Sequence, residues 1–277
     1  MLKLFKYLAI AVVGLYAGAC GFMYFQQRSL VFNPGTEDVA KSVDQVTRAE
    51  LITLSTPDGE TLKAWWVAPQ AGKPVYFYLH GNAGTLLGSF SDPHGRADRF
   101  NGLVSDGAGL LALSWRGYGG STGSPTEAGF RIDAATALAW LQQQVPQASI
   151  LLFGESLGTG IAVQLAAEHE FAALILDSPY TSIVDVGAGR YPWLPVRPLS
   201  KDHFESLIHA GNVTEPVLIQ HCDHDVTVPY EQGLRLFAAM GSAEKTFRHI
   251  AGQCHVPSIF PQLPLLREFE KRFTRAQ

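Results

Sequence analysis

Four short, almost uninterrupted apolar runs set the limits on what this chain can fold into: "VYFYLH" (75–80), "GLLALSW" (109–115), "SILLFG" (149–154) and "FAALILD" (171–177). Each has the length of a strand and none alternates apolar with polar residues, so a sheet built from them must be covered on both faces. A fifth run, "PVLIQH" (216–221), and a weaker sixth, "KTFRHI" (245–250), continue the series. Helical spacing fills the intervals at 126–144, 157–169, 230–240 and 258–274. Strands alternating with helices predict an α/β fold, a mostly parallel sheet with helices on both faces. Ahead of the series, "ELITLSTPDGETLKAWWVAP" reads as two strands joined at the turn Pro57-Asp58-Gly59. Residues 182–210 break the alternation. Three prolines, Tyr191 and Trp193 mark this segment as a small lid inserted over one end of the sheet.

The N-terminus follows a different rule. From Tyr7 to Phe25, "YLAIAVVGLYAGACGFMYF" carries no charge over 19 residues, enough for a helix to cross the hydrocarbon core. A buried core helix of this length would be expected to show a polar face, and this one has none. The chain therefore divides into a membrane anchor (1–26), a connecting segment (27–49) and an α/β domain (50–277). Lys3, Lys6 and the amino terminus, set against Arg28 and Lys41, place the body on the non-cytoplasmic side. "AGAC" (17–20) has the small residues of a cleavage or lipid-attachment site at Cys20, but the apolar run continues through "GFMYF" and favours an uncut anchor. A formal net charge of −4 without a basic stripe excludes nucleic acid as a partner. Three cysteines are too few for a disulfide scaffold.

Two serines sit in the spacing G-x-S-x-G: Ser156 in "GESLG" and Ser121 in "GGSTG". A nucleophile elbow needs a strand that turns sharply and runs at once into a helix. Ser156 has that context, with "SILLF" before it and "LGTGIAVQLAAEH" after it. Ser121 has Pro125 four residues on and an excess of glycine, so it reads as a loop. Without a following Lys-Ser/Thr, its glycines also fail as a phosphate-binding loop.

A serine hydroxyl needs a base within hydrogen-bond reach, normally a histidine oriented by a carboxylate. Beyond Ser156, "HCDHDVTVP" leaves the fifth strand and "AGQCHVP" follows the sixth, loops at the strand ends where open α/β sheets place ligands. Asp225 is the expected orienter and His255 the expected base, in the order serine, acid, histidine. Asp223 on the same loop and Asp177 at another strand end are the competing carboxylates. Against His255 stands the ordinary reading of a surface loop histidine, one of nine in the chain. His221 and His224 read as structural or solvent-facing, and His80 as a support for its loop. That loop, "YLHGNAGT", offers an oxyanion hole from the backbone N–H groups of Asn82 and Leu157.

Taken together, "FYLHGNAGT", "LSWRGYGGSTGSP", "FGESLGTG", "LILDSPYTS", "HCDHDVTVP" and "GQCHVP" resemble the membrane-anchored, ABHD-type branch of the α/β-hydrolase superfamily. The likeness begins near Gln27 and includes "FQQRSLVFNP". It implies a serine esterase, thioesterase or lipid hydrolase acting on small-molecule or lipid acyl substrates, with no cofactor and no metal. A peptidase or amidase on the same triad, or a catalytically silent anchored scaffold, are the alternatives. The chain departs from the branch at Cys222, where small or polar residues are usual, and Cys254 directly precedes the base. Pairing of Asp225 with His255 would make the two loops neighbours, which leaves two outcomes: a disulfide in an oxidising compartment, or two buried thiols. Zinc is a rival use of "HCDHD", Cys254 and His255, but it would take His255 from the serine and matches no standard ligand spacing.

Overall fold

The computed structural model describes residues 1–273 apart from 90, 91 and 93. The ends of the predicted last helix (274) and of the predicted α/β domain (274–277) lie outside the described residues. Eight strands form one sheet: β1 Glu50–Ser55, β2 Thr61–Val67, β3 Val75–Leu79, β4 Gly109–Leu113, β5 Ile150–Glu155, β6 Ala173–Asp177, β7 Val217–Cys222 and β8 Lys245–Ile250. Their spatial order is β8-β7-β6-β5-β3-β4-β2-β1. The strands β3 to β8 pair in parallel, while β2 runs antiparallel to both β1 and β4. Every residue of β3 to β7 is buried, which is why their sequences lack alternation.

Nine helices accompany the sheet among the described residues: α1 Leu2–Val31, α2 Gly95–Val104, α3 Glu127–Gln144, α4 Leu157–Glu168, α5 Ile183–Arg190, α6 Val196–Leu199, α7 Ser206–Ala210, α8 Tyr230–Ala239 and α9 Leu263–Phe273. One face of the sheet packs on α3, α4 and α8 through Phe77, Phe130, Ile161 and Leu236. The other packs on α2 and α9 through Tyr78, Phe100, Leu266 and Phe269. No helical pattern marks α2 in the sequence, and its packing explains this. It buries Arg96 and Arg99 beside Ala97, Phe100 and Leu103, so it presents no clean apolar stripe.

Helix α1 is long and apolar enough to cross a membrane, and none of its residues is fully buried. It runs beyond the predicted anchor boundary at residue 26, because the first residues of the predicted connecting segment find partners on the lid. The Gln27 amide donates to the Leu199 carbonyl at 2.9 Å and Arg28 pairs with Asp202 at 2.8 Å. Phe32 then packs against Phe130 and Phe204 in the core. Next, Asn33–Pro34 forms a short parallel bridge with Ala83–Gly84, followed by single 3₁₀ turns at Val39–Lys41 and Val43–Gln45. The lid consists of α5 and α6 with their linkers, and α7 returns the chain to β7.

Glu215 precedes β7. It is buried, and one of its carboxylate oxygens has no hydrogen-bond partner. Burial pushes its carboxyl from 4.5 up to about 7. The folded chain therefore holds a proton that the unfolded chain releases near 4.5, and stability falls as pH rises through that interval to above 7. Glu215→Gln removes the titration while keeping the shape. In detergent solution at pH 8 the variant should melt several degrees higher than wild type, about 2–4 °C for each kcal/mol recovered. The difference should shrink towards pH 5.

Candidate active site

Ser156 is the single residue between β5 and α4, with φ 48° and ψ −116°. Side-chain-bearing residues rarely adopt this backbone, and holding one there costs about 1–3 kcal/mol. Three hydrogen bonds hold it: the Ser156 N–H donates to the Asp177 carbonyl and the Thr159 N–H to the Ser156 carbonyl, both at 2.9 Å, and the Thr159 hydroxyl donates to that same Ser156 carbonyl at 2.6 Å. The flanking glycines are there for close approach. A Cβ on Gly154 would stand 2.8 Å from Thr159 Cα, and one on Gly158 would stand 2.1 Å from the Leu79 carbonyl oxygen.

Three side chains from separate loops meet in one row. Asp225 Oδ2 lies 2.7 Å from His255 Nδ1, and His255 Nε2 lies 2.7 Å from Ser156 Oγ. A carboxylate only accepts, so Nδ1 carries the ring proton and Nε2 accepts from the serine hydroxyl. Burial of Asp225 opposes its charge, but hydrogen bonds from His221, His255 and the Val228 backbone outweigh this. They hold its carboxyl well below the usual carboxylate range. Its Oδ1 accepts from the N–H groups of Thr227 and Val228 at 2.8 and 3.0 Å, so the carboxylate cannot swing away from the imidazole.

The competing residues stand elsewhere. Asp177 is fully buried and pairs with Arg99 and Gln220. Asp223 binds His249 and the Gly252 N–H at 2.8 Å and pairs with His224. Ser121 Oγ accepts from the Lys63 N–H and donates to the Ser114 carbonyl, which ties its loop to β2. His80 is buried and lowered to about 3 by burial, with Nδ1 donating to the Gly81 carbonyl. His221 Nε2 donates to the Val228 carbonyl at 3.0 Å and lies 3.4 Å from Asp225 Oδ2, a second hand on the acid.

Beneath the elbow is a network that sequence reasoning did not find. Glu155, the residue before the serine, is buried against Arg96 at 2.7 Å and receives the Tyr78 hydroxyl and the Gly81 N–H. Burial works against its charge, yet the Arg96 guanidinium holds its carboxyl well below the ordinary range. The remaining fork of Arg96 donates to the carbonyls of Ala83, Thr85 and Gly88, the loop that carries Asn82. Arg99 reaches the Pro257 carbonyl, and Ser178 Oγ donates to the carbonyl of His255. The only signal in the sequence was a glutamate inside "GESLG" and two arginines three apart. Cys222 and Cys254 form a disulfide with Cα atoms 5.6 Å apart, joining the end of β7 to the residue before His255. Both sulfurs are thus engaged, and no cluster of three potential ligand side chains comes together as a metal site among the described residues.

Ser156 stands between two cavities. The first, about 610 Å³, is bordered by α1, the lid and α4, and its lining is mainly apolar. The second, about 580 Å³, is lined by Asp92, Asp98, Ser258 and His255 among others. Asn82 borders both and Leu157 the first. The Asn82 amide oxygen accepts from the Asn33 N–H at 2.9 Å and from the Tyr118 hydroxyl at 3.0 Å.

Residues 74–204 match the family model of the alpha/beta hydrolase fold. Over 241 residues the chain is 37% identical to an uncharacterized protein of Mycobacterium tuberculosis, covering 85% of this chain and 83% of that one. Over 186 residues it is 32% identical to the lysophosphatidylserine lipase ABHD12 of Danio rerio, covering 61% of this chain and 47% of that one. The chain belongs to the α/β-hydrolase superfamily, in its ABHD-type branch. This hydrolase also shares its fold with the Pyrococcus furiosus esterase Pf2001, with a TM-score of 0.72 at 20% identity over 88% of this chain and 98% of that one.

Removing one member of a buried ion pair leaves the other charged and unpaired, at about 3–5 kcal/mol. Arg96→Met in this hydrolase should lower its melting temperature sharply. Adding Glu155→Met should recover part of the loss. A double variant no more stable than Arg96→Met alone would show that the pair is not the stabilising unit.

Proposed function

We propose that this protein is a membrane-anchored serine hydrolase that cleaves carboxylic ester or thioester bonds through an acyl-enzyme on Ser156. The observation that carries the reading is the Ser156–His255 contact of 2.7 Å, set where a mainly apolar cavity meets a more polar one. His255 Nε2 takes the serine proton as Oγ attacks the acyl carbon. The imidazolium then gives that proton to the leaving alcohol or thiol as its bond to the carbonyl breaks. Water, deprotonated by the same nitrogen, attacks the acyl-serine, and the acid leaves with Ser156 restored. Asp225 steadies the charged imidazole. The backbone N–H groups of Leu157 and Asn82 receive the oxyanion, and losing one such donor typically costs about 3 kcal/mol of barrier.

The two cavities orient an amphiphile, with the acyl chain on the lid side and the head or leaving group on the side of Asp92 and His255. That two-sided shape, and the lipase activity in the name of the ABHD12 relative, support lipid-linked esters as the substrate class. Anchor residues Lys3 and Lys6 support a body on the non-cytoplasmic side, and the Cys222–Cys254 disulfide agrees with an oxidising compartment.

Ser156→Ala should abolish labelling by a fluorophosphonate and lower hydrolysis of p-nitrophenyl and thioester substrates by about 10⁴- to 10⁶-fold. Asp225→Asn should retain the geometry and fall by about 10⁴-fold. An unlabelled wild-type protein would identify a silent scaffold, and cleavage of amides in preference to esters would identify a peptidase. Intact mass of protein purified from its native membrane should rise by two hydrogens on reduction. An unchanged mass would mean free thiols and remove the compartment argument.

A further inference from the structure

The membrane helix enters the site itself. Cys20, Met23, Gln27 and Val31, spaced three or four apart, are half-buried, while Phe22, Tyr24, Phe25 and Gln26 between them are exposed. That spacing is one face of α1, and the lid lies along it. The Tyr16 hydroxyl donates to the Trp193 carbonyl at 3.0 Å, and Gln27 bridges the Leu199 carbonyl and the Lys201 N–H at 2.9 and 2.7 Å. Arg28 closes the contact on Asp202. The apolar cavity that ends at Ser156 is walled by Phe22, Met23, Leu30 and Val31 of α1 on one side, with Ile183 and Leu194 of the lid facing them.

Phe22 and Met23 belong to the uncharged run of Tyr7 to Phe25, so this wall begins at the depth of the hydrocarbon. Trp193, 59% exposed beside Tyr16, sits level with the same uncharged run, so the lid borders the apolar stretch of α1 as well. We propose that the outer turns of α1 form the acyl-chain wall of the site, and that an acyl chain passes from the bilayer to Ser156 between α1 and the lid. The proposal rests on the hydrolase reading and adds the element that selects chain length. A generic apolar helix would anchor the body but would not supply this surface.

The test uses the full chain in phosphatidylcholine vesicles, with p-nitrophenyl butyrate and p-nitrophenyl palmitate as paired substrates. Met23→Trp and Leu30→Trp fill the wall. Each should reduce the palmitate-to-butyrate ratio of kcat/KM at least tenfold, since lost contact with two methylenes is already worth about tenfold. Phe25→Trp, on the same helix but away from the cavity, should leave the ratio as in wild type. An unchanged ratio in both wall variants, with fluorophosphonate labelling intact, overturns the proposal and leaves the hydrolase reading standing. If both tryptophans abolish labelling, Met23→Ala decides: a changed ratio supports the wall and an unchanged one overturns it. A wild type that turns over neither ester overturns both readings.

Discussion

The site depends on a buried charge pair beneath the nucleophile. Arg96 and Glu155 meet under Ser156 with side chains only 6% and 5% exposed, and each alone would be an expensive group to bury. Their pairing does what an apolar pair of equal volume could not. A guanidinium has five donors in a rigid fork, and here the fork divides between the Glu155 carboxylate and three carbonyls of the 83–88 loop. The carboxylate in turn receives the Gly81 N–H and the Tyr78 hydroxyl. The strand end that carries the serine and the loop that carries Asn82 are therefore bonded to the same two side chains. A lysine has the charge but not the fork, and would hold only part of this loop.

A similar logic holds the imidazole. The base loop after β8 has little regular structure of its own, so its position comes from outside. Ser178 bonds the carbonyl of His255, Arg99 bonds that of Pro257, and the disulfide fixes Cys254 to the end of β7. Arg99 is also the partner of Asp177, so the strand before Ser178 and the base loop share a guanidinium. Such restraint from several directions is what a 2.7 Å contact requires, since an imidazole on a mobile loop would spend most of its time out of reach.

How much of this was legible in the sequence follows from what each feature needs. Strands β3 to β7 were legible because burial on both faces leaves only apolar residues to choose from. Ser156 could be preferred to Ser121 because its flanks carry a strand and a helix, and the structure puts Ser121 into loop support instead. That His255 and Asp225 would meet Ser156 was legible through chain order and strand ends. Helix α2 was not, because its buried face is partly arginine and the apolar period is broken there. The ion pairs Arg96–Glu155 and Arg99–Asp177 join residues 59 and 78 positions apart, and nothing local to either partner names the other. That α1 continues past residue 26 was not legible for the same reason: what keeps Gln27 and Arg28 helical is a lid more than 170 residues away.

The continuation of α1 beyond residue 26 ties the helix to the site. Helix α1 is continuous to Val31, Phe32 is locked between Phe130 and Phe204, and the next residue, Asn33, donates its N–H to the Asn82 side chain. Pro34 and Gly35 extend the contact along Gly84. No slack segment separates α1 from the site, so in the proposed anchored state a tilt of α1 would be transmitted through a core aromatic to the loop bearing Asn82. Tyr118, bonded to the same amide oxygen, resists that displacement. A helix that only tethered the body would be better followed by a slack segment, which would let the domain move independently of the lipid. The absence of slack between Val31 and Asn33 is what makes the orientation of α1 a property of the site.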